Sequence, residues 1–126
     1  APPSVGAVRM AAARELSADE NTVLWARVDE VCGAGPEDYR RLDSRLHLAI
    51  AEAAGSPSLV PLVAENRMRV NVLLDRIPLL QRNIEHSNEQ HEVIVAAIAA
   101  GEPERAATAM LDHLAGSATL LHGFLD

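Results

Sequence analysis

Apolar residues in this chain recur at spacings of three and four, and Gly and Pro residues divide the chain into segments that each show this period. A spacing of three and four places residues on one face of an α-helix, whereas a half-buried strand alternates every second residue. We find no alternating pattern and no Asn-Gly hairpin signal. The sequence therefore predicts an all-α fold, an antiparallel bundle of about six helices.

Helix start and stop signals give approximate boundaries for these segments. Ser17 and Glu20 have the spacing of a capping box, which predicts a helix from about Ala18 to Gly33. Gly55 is expected to close the next helix in a left-handed cap. Pro78 is expected to break or kink the chain that follows the helix ending near Arg76. The other expected helices cover about 8–16, 36–54, 57–76, 84–100 and 103–125.

Length and composition limit the class of protein. A chain of 126 residues fits one domain. A formal charge of −7 and a pI near 5.1 argue against direct contact with nucleic acid, which needs a concentrated basic surface. No apolar run is long enough for a membrane span or a signal peptide. The single cysteine, Cys32, fits a reducing cytoplasm and is expected to be a small core residue.

Four side chains that can bind a metal fall on apolar helix faces. Asp43 and His47 lie one turn apart on the apolar stripe of the third helix, and His91 is central in the stripe of the fifth. His113 lies in the stripe of the last helix, which we expect to continue to Phe124. A buried carboxylate or imidazole without a partner costs several kcal/mol, so the interior is expected to hold something that satisfies them.

Helical geometry separates these histidines from the other two. At about 100° per residue, His86 and His122 point away from the stripes that contain His91 and His113. Three interpretations of the inward set stay open: a divalent metal site, a buried polar network, or coincidence. One Asp with three imidazoles suits Zn, Ni, Fe or Mn, with zinc as our first choice. Such an ion can keep positions open for water or a carboxylate.

Three stretches of the chain resemble a known family. They are Asp43 to Pro57, Ser87 to Gly101 and Ala106 to Leu114. Together they are similar to the FCD domain, the ligand-binding domain of FadR-type GntR transcriptional regulators. The family's metal ligands correspond to Asp43, His47, His91 and His113. The chain departs from the family at Leu46 and Ser56, where Phe and Asn are common.

The resemblance implies a function for residues 1–126 as a single C-terminal effector-binding domain. It would sense a small carboxylic acid at the metal and would not be an enzyme. It would form a homodimer in the cytoplasm and reach DNA only through a winged helix-turn-helix that precedes this domain in the family and is absent from this chain. The start at Ala-Pro-Pro instead of Met suggests to us that an upstream part is missing.

An acid at the metal needs further partners. A guanidinium can pair with a carboxylate, and amides or hydroxyls can bind the rest of the molecule. The effector-binding candidates are Arg45, Arg67, Arg69, Asn71, Ser87 and Asn88.

Two other functions compete with sensing. A mononuclear metal-dependent hydrolase would need a general base beside the ion, for which Glu89 and Glu92 are candidates. A structural dimerisation module stabilised by metal would use apolar residues outside the stripes, such as Val70, Leu73 and Leu74.

Overall fold

The computed structural model describes residues 2–125, which form six helices and no strand. The helices are α1 (Pro3–Ala13), α2 (Ala18–Cys32), α3 (Tyr39–Ala53), α4 (Leu59–Leu74), α5 (Gln81–Ala99) and α6 (Pro103–Leu125). The all-α prediction is confirmed.

The capping box and the glycine helix ends are present at the positions that the sequence predicts. The Ser17 hydroxyl accepts a hydrogen bond from the backbone N–H of Glu20, and the Glu20 carboxylate accepts one from the N–H of Ser17, both at 3.1 Å. This capping box satisfies two N–H groups that the first turn of α2 leaves unpaired. Gly55 and Gly101 follow α3 and α5 with φ of 77° and 69°, the left-handed conformation that glycine adopts without a Cβ clash.

Three predicted helix boundaries are wrong by several residues. The opening helix covers Pro3–Ala13 instead of 8–16, because Pro3 occupies a first helical position and the chain turns at Glu15, whose φ is 53°. Helix α3 begins at Tyr39 instead of Pro36. Residues 36–38 form a turn in which the N–H groups of Asp38 and Tyr39 both donate to the carbonyl of Gly35, at 3.1 and 3.0 Å.

Helix α1 packs against α3, α4, α5 and α6. Small side chains allow the close approach of these neighbours. The buried residues of α1 are Ser4, Val5, Ala7, Val8, Ala11 and Ala12. Helix α2 covers α3 and α5, while α5 also packs against α6 and α3 against α4. The faces of α3, α5 and α6 that carry the predicted ligands are thus turned towards the interior.

Two burial predictions are wrong. Cys32 ends α2 with an exposed side chain. Phe124 is 47% exposed, because the buried residues of α6 end at His113. Periodicity identifies a helix face but does not show how far neighbouring helices extend along it. Within residues 2–125, none of the helices has both the length and the apolar character needed to cross a bilayer.

Candidate metal centre

Three helices bring the four predicted ligands to one place. Helix α3 carries Asp43 and His47, α5 carries His91, and α6 carries His113. All four side chains are buried, and one donor atom from each lies within 4.8 Å of the others. The two histidines predicted to face away, His86 and His122, are exposed. The helical period therefore distinguished inward from outward histidines correctly.

The two oxygens of Asp43 have different neighbours. The Nη2 atom of Arg67 donates to Asp43 Oδ2 at 2.7 Å. His91 Nε2 lies 2.8 Å from Oδ1, and His47 Nε2 lies 3.6 Å from the same oxygen. Neither imidazole contact has hydrogen-bond geometry, so Oδ1 has no hydrogen-bond partner in the described part of the chain.

Other buried atoms that could bind a metal also have no hydrogen-bond partner within residues 2–125. Both ring nitrogens of His47 and of His91 have no hydrogen-bond partner among residues 2–125. A buried polar atom left unpaired costs roughly 1–3 kcal/mol. A cation between Asp43 Oδ1 and one nitrogen of each imidazole would satisfy several of these atoms together. The donor set therefore fits a divalent metal ion.

The protonation states also suit metal binding. Burial tends to raise the pKa of Asp43, but the imidazoles of His47 and His91 and the Arg67 guanidinium outweigh it and hold this pKa well below its usual value. Burial, reinforced by Arg67, lowers the pKa of His47 from 6.5 to about 4. Burial and the neighbouring imidazoles also lower the pKa of His113 well below 6.5. At neutral pH, Asp43 is ionised and both imidazoles are neutral, the forms that bind metals.

His113 differs from the other two histidines because it has a hydrogen-bond partner. Its Nδ1 lies 2.7 Å from Gln90 Oε1, so a protein side chain from α5 touches the ring on α6. The rings of His47 and His113 are stacked, with centroids 5.4 Å apart and an interplanar angle of 22°.

A cavity of about 110 Å³ is lined by two of the four ligands, Asp43 and His113. Arg67 and Gln90 line the same cavity. Its walls carry neutral polar groups from Tyr39, Asn83, Ser87 and Ser117 and apolar groups from Leu74, Leu79, Ile84 and Leu120. Burial raises the pKa of Tyr39 to about 12, so its hydroxyl is protonated and can donate. The cavity can accept a small molecule with one polar end.

Two of the six effector-binding candidates line this cavity, Arg67 and Ser87. Asn88 does not line it but contacts the hydroxyl of Tyr39 at 3.5 Å. The other three lie elsewhere. The Nδ2 of Asn71 donates to Ser44 Oγ at 2.8 Å, Arg45 pairs with Glu30 at 3.0 Å, and Arg69 pairs with Glu65 at 2.7 Å.

Sequence reasoning missed six polar residues of the cavity as binding candidates, namely Tyr39, Arg40, Asn83, His86, Gln90 and Ser117. Helical spacing from the predicted ligands could have identified two of them. Asn83 lies two turns before His91, and Ser117 lies one turn after His113, so each shares the face of a predicted ligand.

Comparison with known families identifies the fold. The family model described as the FCD domain matches residues 5–116, a stretch that contains all four clustered residues. Comparisons with curated proteins and with solved structures found no match. FCD domains are the effector-binding domains of FadR/GntR-type regulators. The match covers most of the chain, and the protein therefore belongs to the FCD domain family.

Proposed function

We propose that this chain is the effector-sensing and dimerisation domain of a GntR/FadR-type transcription regulator, with a divalent metal held by Asp43, His47, His91 and His113. Zinc is our first choice, and Ni, Mn and Fe suit the same ligands. The observation that carries the proposal is the group of buried, unpaired donor atoms beside a cavity. The ion would act as a Lewis acid that anchors an oxygen of a small carboxylic acid.

Charge supports an anionic effector. Asp43 and Arg67 form a buried ion pair, and no other acidic side chain is buried between residues 2 and 125. A divalent cation would therefore leave the site with a net positive charge in a region of low dielectric, which is unfavourable. A carboxylate in the cavity would offset this charge. Arg67 lines the same cavity and could donate to it.

The four ligands connect helices that are far apart in the sequence. Effector binding at these ligands could therefore change how the helices pack. An effector shifts an equilibrium between two packings only if it binds them with different affinity. A ligand that contacts groups from α3, α5 and α6 together would favour the packing in which those groups are closest. We propose that this change alters how the dimer presents its DNA-binding domains.

DNA contact is assigned to a separate winged helix-turn-helix domain, in keeping with the charge of −7. Such a regulator would act in the cytoplasm.

For the homodimer, α4 is the strongest candidate surface, since Leu62, Met68 and Val72 on this helix are 49–64% exposed. Of the residues first considered for a partner helix, Leu73 is 40% exposed, whereas Leu74 is buried.

Thermal unfolding with and without zinc tests the sensing proposal. A panel of mono- and dicarboxylic acids is compared with their primary amides, which lack the charge. Particular acids should raise Tm when zinc is present and have no effect after chelation. At an acid concentration of one hundred times Kd, the free energy of unfolding should increase by about 2.7 kcal/mol. If zinc alone raises Tm and no acid adds to it, the structural module is favoured instead.

The hydrolase alternative has less support. Asp43 is the only carboxylate among the described residues that line the cavity, and it is paired with Arg67. Glu89 and Glu92, the candidate bases, are exposed side chains of α5 and lie outside this lining. Turnover of ester or phosphate substrates by the zinc-loaded domain would overturn the sensing proposal.

A further inference from the structure

Gln90 is a polar residue that contacts the candidate metal centre. It precedes His91 on α5, is half-buried, and directs its Oε1 to Nδ1 of His113 on α6 at 2.7 Å. Its side chain also lines the cavity. His47 and His91, in contrast, have no hydrogen-bond partner for either ring nitrogen within residues 2–125. Among the three clustered histidines, His113 is therefore the one whose ring is oriented by another side chain.

This contact has a chemical consequence for the imidazole. An amide oxygen only accepts, so the ring nitrogen facing it must carry the proton. A neutral imidazole has one proton, and its presence on Nδ1 leaves the lone pair on Nε2. A metal ligand needs such a lone pair. If the amide were reversed, its NH2 group would donate to Nδ1 and the proton would lie on Nε2.

We propose that Gln90 is a positioning residue that holds His113 in the Nδ1-protonated tautomer, so that Nε2 is ready to bind a metal. The inference rests on the proposed metal site and adds a residue that the four-ligand pattern does not include. Groups that fix the tautomer of a ligating histidine generally affect metal affinity about 10- to 100-fold. Gln90 also ties α5 to α6 at the level of the ligands.

The first experiment uses the metal-free domain. Long-range nitrogen–proton NMR correlations of the imidazoles, recorded near neutral pH, report which nitrogen of His113 carries the proton. The expected result is a proton on Nδ1. A proton on Nε2 would overturn the proposal. This measurement needs no metal, so it tests Gln90 even if zinc fails to bind and the proposed function is wrong.

The second experiment measures zinc affinity by competition with a chromophoric chelator. Gln90→Met keeps the length of the side chain but removes the acceptor, and affinity should fall about 10- to 100-fold. Gln90→Glu restores an acceptor and should keep affinity close to that of the unmodified domain. Gln81→Met is the matched control, because Gln81 is an exposed residue of the same helix that contacts Glu85. Equal zinc affinity in Gln90→Met and Gln81→Met would contradict the positioning role.

Discussion

Arg67 Nη2 lies 2.7 Å from Asp43 Oδ2, and the two side chains are 5% and 10% exposed. This ion pair joins α4 to α3 and occupies one oxygen of Asp43, while the other oxygen faces His91 and His47. Arg67 thus fixes the rotation of the carboxylate around which the histidines gather. Together with the imidazoles of His47 and His91, which contribute more, Arg67 lowers the pKa of this carboxylate.

Replacing Arg67 should destabilise the metal-free domain. Arg67→Met leaves Asp43 buried without its cation, and removal of one partner from a buried pair costs about 3–5 kcal/mol. Chemical denaturation in the presence of a chelator measures the loss. Arg69→Met is the matched control on the same helix, because the pair of Arg69 with Glu65 is largely exposed and should change stability by less than about 1 kcal/mol. Similar losses in the two variants would contradict a structural role for the buried pair.

Zinc should stabilise the domain through His91. The imidazole of His91 lies at the centre of the cluster, 2.8 Å from Asp43 Oδ1, so His91→Ala should abolish the rise in Tm caused by zinc. His86→Ala removes an exposed histidine of the same helix and should keep that rise. Differential scanning calorimetry with and without zinc compares the two. A zinc-dependent rise that survives in His91→Ala would place the ion elsewhere.

Stability of the metal-free domain should decrease as the pH falls below about 6.5. The pKa of His47 is about 4 in the folded chain and 6.5 as a free group, so the unfolded chain binds more protons between these values. The stabilisation is complete above pH 6.5 and is lost towards pH 4. One pKa unit corresponds to about 1.4 kcal/mol, so the loss from His47 is on the order of 3 kcal/mol.

Urea titrations at several pH values measure this slope. The depressed pKa of His113 acts in the same direction, whereas that of Asp43 matters only below about pH 3.8. His47→Gln should have a shallower dependence between pH 6.5 and 4. A slope equal to that of the unmodified domain would show that His47 does not carry the effect.

Changing the cavity lining should separate effector binding from metal binding. Gly116 is an exposed residue of this lining, and a Cβ added there meets no atom within 4 Å, so Gly116→Leu adds an apolar side chain to the lining without a clash at Cβ. This variant should keep zinc affinity and lose the response to carboxylic acids. Gly123→Leu is the matched control. Gly123 is on the same helix and also has free space around an added Cβ, but it lies outside the cavity lining. Isothermal titration with each acid compares them; a full acid response in Gly116→Leu would exclude the cavity as the binding site.

Local sequence signals predict several helix starts and ends correctly. The Ser17 and Glu20 capping box predicted the start of α2, and the glycines after α3 and α5 adopt the left-handed conformation. These signals depend on backbone hydrogen bonds a few residues apart, so they can be recognised without knowledge of the rest of the chain. The sequence predicts the start of α3 too early, because Pro36 permits a helical turn but does not require one.

Which histidines point inward follows from the sequence, because the period of a helix relates His91 to Ile94 and Ile98 within one segment. Tertiary packing, in contrast, brings Arg67 to Asp43, 24 positions away, and Gln90 to His113, 23 positions away. Such contacts depend on how α3, α4, α5 and α6 are packed against one another. Side-chain packing between helices is a property of the whole chain, so no single segment specifies the partner that a buried charge or imidazole will find.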